Sequence, residues 1–389
     1  MAIDPEDVRI CLEDNPAREM DIEPMATPIV QTSLFAFPDF ETFIEAGSAE
    51  NRNTVYSRGQ NPTVQVLERK LAQLERGEAC KAFGSGMAAV ASVIIGLLKS
   101  GDHILFVNQT YGPTMQLARH LKRFGIEHTL LLDIAPEDIE RAMLPNTRMI
   151  WVESPGTMLF RTLDLAAVAE IARSHNALTC IDNSWASPLF QKPVLSGFDI
   201  VVHSATKYIG GHSDVVAGAV ITNAELMQEI FYRAYLLLGG ILHPFDAWLL
   251  LRGLRTMPVR MQQIEKDTIG VAEYLRARAE VTAVHHPCFE SMSPGLNGTS
   301  GLFSFELEGG NYEKIKRFVD GLARFRIGVS WGGVESLVLS PNRGNNLSYL
   351  DSQRIPHGLV RLSIGLEGAD VLIDDIRKSL GRLEGVGRG

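Results

Sequence analysis

The chain has 389 residues, 45% apolar and 21% charged, proportions that exclude a collagen, a disordered tail and a small disulfide scaffold. Its 37 lysines and arginines against 46 aspartates and glutamates leave a net charge of −9. With no basic run to offset that charge, a nucleic-acid surface is excluded as well. At roughly 100–200 residues per domain, the length suits a large α/β core with a smaller second domain. Cys11, Cys80, Cys180 and Cys288 lie far apart with no CxxC, so free thiols are expected rather than a zinc site or a redox pair. The acidic start MAIDPEDVRI carries no signal-peptide core, and the longest apolar stretch, Met87 to Leu98, is too short to span a bilayer. A soluble cytoplasmic protein is expected.

Residues 1–60 read as an irregular arm, with Pro5, Pro16, Pro24, Pro28 and Pro38 among polar residues. An arm of this length suggests something to wrap around, and a partner subunit is the economical candidate. A helix is predicted from Pro62, with Leu67, Leu71 and Leu74 on one face and Gly77 as its stop. Short apolar runs then alternate with helix-period segments. Cys80–Phe83 precedes a helix over Gly86 to Leu98, His103–Val107 one over Pro113 to Phe124, and Arg148–Val152 one over Leu163 to Ser174; Ala177–Ile181 and Ile200–His203 are further runs. This alternation predicts βαβ units and a mostly parallel sheet covered on both faces, over residues 61–242. Beyond it, residues 243–389 read as a smaller α+β domain. It holds a long helix from Phe245, an alternating run Gly301–Leu307, a helix near Tyr312–Leu322, a polar loop at 341–358 and a run at Leu359–Ile364. No internal repeat is evident.

In such sheets the site lies at the carboxyl ends of the strands, so the polar residues after each run are informative. After the first comes Phe83-Gly84-Ser85-Gly86-Met87-Ala88-Ala89. Glycines between strand and helix let backbone N–H groups converge on an anion. The letters also fit GxGxxA, but the next strand ends on Val107-Asn108 without the acid a dinucleotide ribose needs; a purely structural tight turn is the other reading. A second run ends on Ile181-Asp182-Asn183, a carboxylate aimed into the cleft or a helix N-cap. The third ends on His203-Ser204-Ala205-Thr206-Lys207-Tyr208. A lysine between hydroxyls among small and apolar residues suits a Schiff-base nucleophile beside a phosphate better than a solvated surface. Anion site, acid and amine together are what pyridoxal phosphate needs. His203, His212 and the pair His285-His286 fit no metal spacing, and no metal is expected.

These segments, with Tyr56-Ser57-Arg58-Gly59, Asn61-Pro62-Thr63 and Arg361-Leu362-Ser363-Ile364-Gly365-Leu366-Glu367, occur in an order that resembles the cysteine/methionine-metabolism family of pyridoxal-phosphate enzymes, from about Thr27 to Leu383. The resemblance implies the aspartate-aminotransferase-like fold (type I), with an N-terminal arm and a smaller C-terminal domain. It implies Lys207 as the Schiff-base residue and proton shuttle, and Asp182 on the pyridine nitrogen. Ser204, Thr206 and the amides of Gly86 and Met87 would hold the phosphate, with Tyr111 stacked on the ring. A phenolate at Tyr111, favoured by burial and cationic neighbours, is expected. Tyr56 and Arg58 match residues that reach the neighbouring subunit's cofactor, which implies a homo-oligomer with shared sites, a dimer at least and by family habit a tetramer. Arg361 matches the arginine that grips the substrate α-carboxylate. Taken singly, Arg58 could equally be a surface arginine, Tyr111 a core tyrosine and Arg361 a strand-face charge.

Within that family, Ser330-Trp331-Gly332-Gly333, Glu153-Ser154-Pro155-Gly156-Thr157, Ile181–Ala186 and Ser300–Phe305 resemble the bacterial cystathionine β-lyases, whereas Tyr56–Thr63 and Gly84–Met87 follow the general pattern. The implied reaction is α,β-elimination of L-cystathionine, with Ser330 and Trp331 beside the substrate. Trp331 reads as pocket wall or as packed core aromatic. The alternative within the family is a γ-acting enzyme: a methionine or cystathionine γ-lyase, a cystathionine γ-synthase or an O-acyl-homoserine sulfhydrylase.

Overall fold

The computed structural model describes residues 3–13, 24–290 and 292–384. Among the described residues, twelve strands form two sheets. The larger holds β1 (Ala79–Phe83), β2 (His103–Val107), β3 (Glu127–Leu131), β4 (Thr147–Glu153), β5 (Leu178–Asp182), β6 (Ile200–His203) and β7 (Gly218–Thr222), in the order β1-β7-β6-β5-β4-β2-β3. Strands β6, β5, β4, β2 and β3 run parallel, and β7 is antiparallel to both its neighbours. Every residue of β2, β6 and β7 is buried, as a sheet covered on both faces requires. One covering layer packs Leu67, Leu71 and Leu254 against it, the other Val90, Ile94 and Phe231.

The second sheet holds β8 (Val281–His285), β9 (Leu302–Leu307), β10 (Arg326–Ile327), β11 (Leu337–Leu339) and β12 (Leu359–Ser363), in the order β10-β11-β12-β9-β8. Only β10 and β11 pair in parallel there. Its core includes Phe303, Phe305 and Phe318, with Leu372 and Ile376 of the last helix, all fully buried. The 33-residue helix Pro244–Arg276, about 50 Å long at 1.5 Å per residue, joins the two cores: Leu250, Leu254 and Met257 face the first, Val271 and Leu275 the second. It lies close against the loop after β6. A Cβ on Gly253 would stand 2.4 Å from the carbonyl oxygens of both Ile209 and Gly210, so only glycine permits this approach.

The described part of the first sixty residues is more ordered than their proline content suggests. Helices occupy Pro5–Leu12 and Phe40–Gly47; both are too short to show periodicity, and they start on side-chain caps from Asp4 and Asp39. The first docks on its own chain: buried Asp7 takes Lys192 Nζ at 2.7 Å and Arg76 at 2.9 Å. The second buries none of its residues and leaves Phe40 and Ile44 exposed. Pro16 of the expected arm, and the ends of the chain at 1–2 and 385–389, lie outside the described residues. The helix from Pro62 ends at Glu75, two residues before the expected glycine, with Arg76 in the left-handed conformation as its cap. In the larger sheet β3 and β7 are not expected from the sequence, β3 because it is a half-exposed edge strand and β7 because it opens on a glycine; in the smaller sheet β8, β10 and β11 are likewise not expected. The polar stretch 341–358 contains the helix Leu347–Ser352, and Arg354 just beyond it pairs with Asp133 of the larger domain at 2.6 Å. No helix among the described residues is long and apolar enough to cross a membrane.

Candidate active site

The carboxyl ends of β1, β4, β5 and β6 open on one cleft, closed on its far side by Trp331 and Arg361 of the smaller domain. At the end of β1 the helix Gly86–Leu97 begins on Ser85, whose Oγ accepts the amide of Ala88 at 3.0 Å. The first amides of a helix have no partner within it and carry its positive end. Gly86 lies so close to the end of β6 that an added Cβ would stand 3.1 Å from both Cβ and Oγ of Ser204. A bare backbone, a helix start and a serine hydroxyl thus form a cradle that any larger residue would fill, which suits a phosphate group.

The loop after β6 brings Lys207 into the cleft. Its Nζ donates to Ser204 Oγ at 3.2 Å and stands 5.3 Å from the centre of the Trp331 ring. Burial lowers the pKa of this ammonium below the ordinary lysine value; nearby Asp182 opposes the shift and Arg361 adds to it. The neutral amine a nucleophile or base requires is therefore more available than on a surface lysine. Thr206 is held by its neighbour strand, Oγ1 donating to Ala217 O at 3.1 Å and accepting from Ala217 N at 2.9 Å. Asp182 ends β5, and its Oδ1 accepts the Ser184 amide at 3.0 Å. Ser184 Oγ in turn accepts the Ser204 amide at 2.6 Å, tying the acid to the hydroxyl-bearing strand end. Arg361, in the middle of β12, is 7% exposed and gives one N–H to Val329 O at 3.1 Å. Burial pushes its guanidinium down to about 10, still a cation at neutral pH.

Tyr111 follows β2 and is 48% exposed at the cleft. The expected phenolate is not what its surroundings favour. Burial raises its pKa, and the carboxylates of Asp182 and Glu153 raise it further, with only Arg361 opposing. Burial, expected to help the phenolate, disfavours it instead, and the acids beside the ring add to that effect.

The structure thus gathers Gly86, Met87, Tyr111, Asp182, Ser204, Thr206, Lys207, Trp331 and Arg361 around one cleft. Ser330 lies beside it, half-buried, without lining it. Tyr56 and Arg58 do not reach the cleft of their own chain. They lie exposed on each other, the guanidinium 5.3 Å from the phenol ring centre. Sequence reasoning passed over Glu153 as a site residue. It ends β4 in register with Asp182, so the logic that selected Asp182 applied to it equally. Its Oε1 accepts the Tyr111 amide at 2.6 Å, and burial, then Asp182, raises its pKa well above the usual carboxylate range.

A parallel sheet with a lysine, an acid and a glycine cradle at its strand ends defines a pyridoxal-phosphate enzyme of fold type I. The chain matches the family described as "Cys/Met metabolism PLP-dependent enzyme" over residues 10–381. It is 38% identical over 373 residues to an L-methionine gamma-lyase of Fusobacterium nucleatum subsp. polymorphum, covering 92% of this chain and 94% of that one. It is also 38% identical over 348 residues to a cystathionine beta-lyase of Staphylococcus haemolyticus, covering 88% of each. The crystal structure of a cystathionine gamma synthase from Xanthomonas oryzae pv. oryzae, in complex with aminoacrylate and cysteine, superposes with a TM-score of 0.89 at 34% identity, covering 97% of this chain and 98% of that one. This chain belongs to the Cys/Met metabolism PLP-dependent enzyme family, and pyridoxal phosphate is its cofactor.

Proposed function

We propose that this enzyme is a carbon–sulfur lyase that performs α,β-elimination on L-cystathionine, giving L-homocysteine, pyruvate and ammonia with uptake of one water. Relatives named for β- and γ-cleavage are equally similar, at 38% identity, so the choice rests on the cleft. The observation that carries it is Trp331, packed on Tyr208 with ring centres 5.4 Å apart and facing Lys207 Nζ at 5.3 Å. Cleavage at Cγ requires the base to reach a Cβ proton as well as the Cα proton. The indole face on one side of this amine and Ser204 Oγ on the other narrow the space for the swing from Cα to Cβ that γ-cleavage needs.

In this reading Arg361 takes the substrate carboxylate as a fork and orients the Cα–H bond toward Lys207. Ser204, Thr206 and the amides of Gly86 and Met87 hold the cofactor's phosphate, and Asp182 keeps its pyridine nitrogen protonated. When bound, pyridoxal phosphate supplies the electron sink for the pair released at Cα. Lys207 Nζ removes the Cα proton. The departing sulfur takes its proton from Lys207, whose lowered pKa makes its ammonium the stronger acid, or from the Tyr111 hydroxyl, which stays protonated. Trp331 and the smaller domain keep bulk water from the reacting carbons.

The same reading makes the enzyme a homo-oligomer with shared sites, a dimer at least and a tetramer by family resemblance. Residues 1–60 form the segment that contacts the neighbour, 61–242 the cofactor domain and 243–389 the smaller domain. Support comes from Tyr56 and Arg58, exposed and turned from their own cleft, and from the uncovered apolar face at Phe40 and Ile44. Keto-acid analysis after incubation with cystathionine tests the chemistry: pyruvate with homocysteine is expected, and 2-oxobutyrate with cysteine would establish γ-cleavage instead.

A further inference from the structure

Three strand ends carry Ser204, Asp182 and Glu153 to the cleft, the first two with a part in the proposed reaction, and a buried polar network grips the adjacent residue of each from behind. Glu75, the last residue of the helix Pro62–Glu75, is 1% exposed. Its Oε1 accepts from His203 Nε2 at 2.6 Å and from Asn183 Nδ2 at 2.8 Å. A carboxylate only accepts, so Nε2 is the protonated ring nitrogen of His203. Asn183 Oδ1 accepts from Gln191 Nε2 at 3.0 Å, and the same amide donates to Ser154 O at 2.8 Å. His203 directly precedes Ser204, Asn183 follows Asp182, and Ser154 follows Glu153. Successive side chains of an extended segment face opposite ways, so bonds to the side chains of His203 and Asn183 fix the direction of Ser204 and Asp182, while the bond to the Ser154 carbonyl fixes the backbone next to Glu153.

We infer that Glu75 is a positioning residue: through His203, Asn183 and Gln191 it sets the relative placement of Ser204, Asp182 and Glu153, and so the geometry in which the cofactor's phosphate and pyridine nitrogen are held. Stability alone is a poor account of it. Glu75 Oε2 is buried with no hydrogen-bond partner among the described residues, an arrangement that costs folding free energy, and apolar replacements of buried polar networks are often as stable or more so. Two strand ends meeting at one acceptor atom, with a third tied to them through Gln191, instead give a common reference point for the site. The inference rests on the reading of Asp182 and Ser204 as cofactor ligands.

The test uses the purified holoenzyme and the variants Glu75→Gln and Gln191→Met, with Ser379→Ala as control. Ser379 is buried in the smaller domain and bonds Phe318 O, so its loss disturbs folding without touching the network. Three quantities are measured: the dissociation constant for pyridoxal phosphate added back to the apoenzyme, the pH midpoint of the bound cofactor's visible band, and Tm. Glu75→Gln takes the charge from the oxygen that both donors share and puts a buried N–H where the unpartnered Oε2 stood, and it is expected to weaken cofactor binding about tenfold or more. It is also expected to move the midpoint by about half a pH unit or more. Gln191→Met shifts both the same way by less. Ser379→Ala lowers Tm and leaves both at the wild-type values. Network variants that lower Tm while binding and titrating like the wild type would overturn the inference; if Glu75→Gln does not fold, Gln191→Met decides. A wild-type enzyme without a visible band would overturn the assignment of the cofactor site, and this inference with it.

Discussion

Arg361→Lys separates charge from geometry at the substrate carboxylate. Arg361 lies opposite Leu339 of β11 and Ser304 of β9, so the strand holds its side chain in place from both sides. A guanidinium carries five N–H donors, and only one is placed on Val329 O, which leaves most of the fork for a ligand. Each charge-assisted hydrogen bond to a carboxylate contributes about 1.5–3 kcal/mol. Lysine keeps the charge and one such bond and loses the second. The expected loss is therefore about 1.5–3 kcal/mol, or about 10–100-fold in kcat/KM. The carboxylate is held in the bound substrate as well as in the transition state, so most of the loss falls on KM, with a smaller fall in kcat from the poorer orientation of Cα–H. Arg361→Ala, without either bond, loses about a thousandfold or more. Steady-state keto-acid release from cystathionine measures both constants, and the cofactor's visible band checks that the site is otherwise intact. A KM for Arg361→Lys within twofold of wild type, with that band unchanged, would remove Arg361 from substrate binding.

Two other outcomes are expected. Subunits carrying Arg58→Ala and subunits carrying Lys207→Ala, inactive alone, regain on the order of a quarter of wild-type activity when mixed, because a two-fold dimer with shared sites then contains one intact site in half of its assemblies; no recovery despite subunit exchange seen by native mass spectrometry would refute the sharing. Burial pushes the His286 imidazole down to about 4, below the roughly 6.5 of a free histidine. The unfolded chain takes up this proton first as pH falls, so its contribution is complete above about pH 6.5 and about 3 kcal/mol is lost as pH approaches 4. His286→Gln should flatten the fall of Tm across that window, and parallel profiles for variant and wild type would contradict the assignment.

The legible part of this protein was whatever recurs locally. The run ending in Lys207, with hydroxyls before it and a strand ahead of them, needed only neighbouring residues to stand out, as did the glycine break at Gly86 and the acid at the end of β5. These residues do meet in one cleft. What depended on distant chain was not legible. The raised pKa of Tyr111 comes from its burial and then from Asp182 and Glu153, all of which only the fold supplies. The bond from His203 to Glu75 joins residues 128 positions apart, so nothing near His203 in the sequence marks it as part of a network. The helix Pro5–Leu12 is stabilised by Lys192 and Arg76, which leave no periodic trace among its own eight residues.

Every role proposed for this cleft depends on the amine of Lys207 as the attachment point of pyridoxal phosphate. Borohydride reduction of the holoenzyme, followed by peptide mass spectrometry, reads this directly. A phosphopyridoxyl mass on the peptide containing Lys207, absent from Lys207→Ala, is the expected result. An unmodified Lys207 peptide, or the label on another lysine, would contradict it.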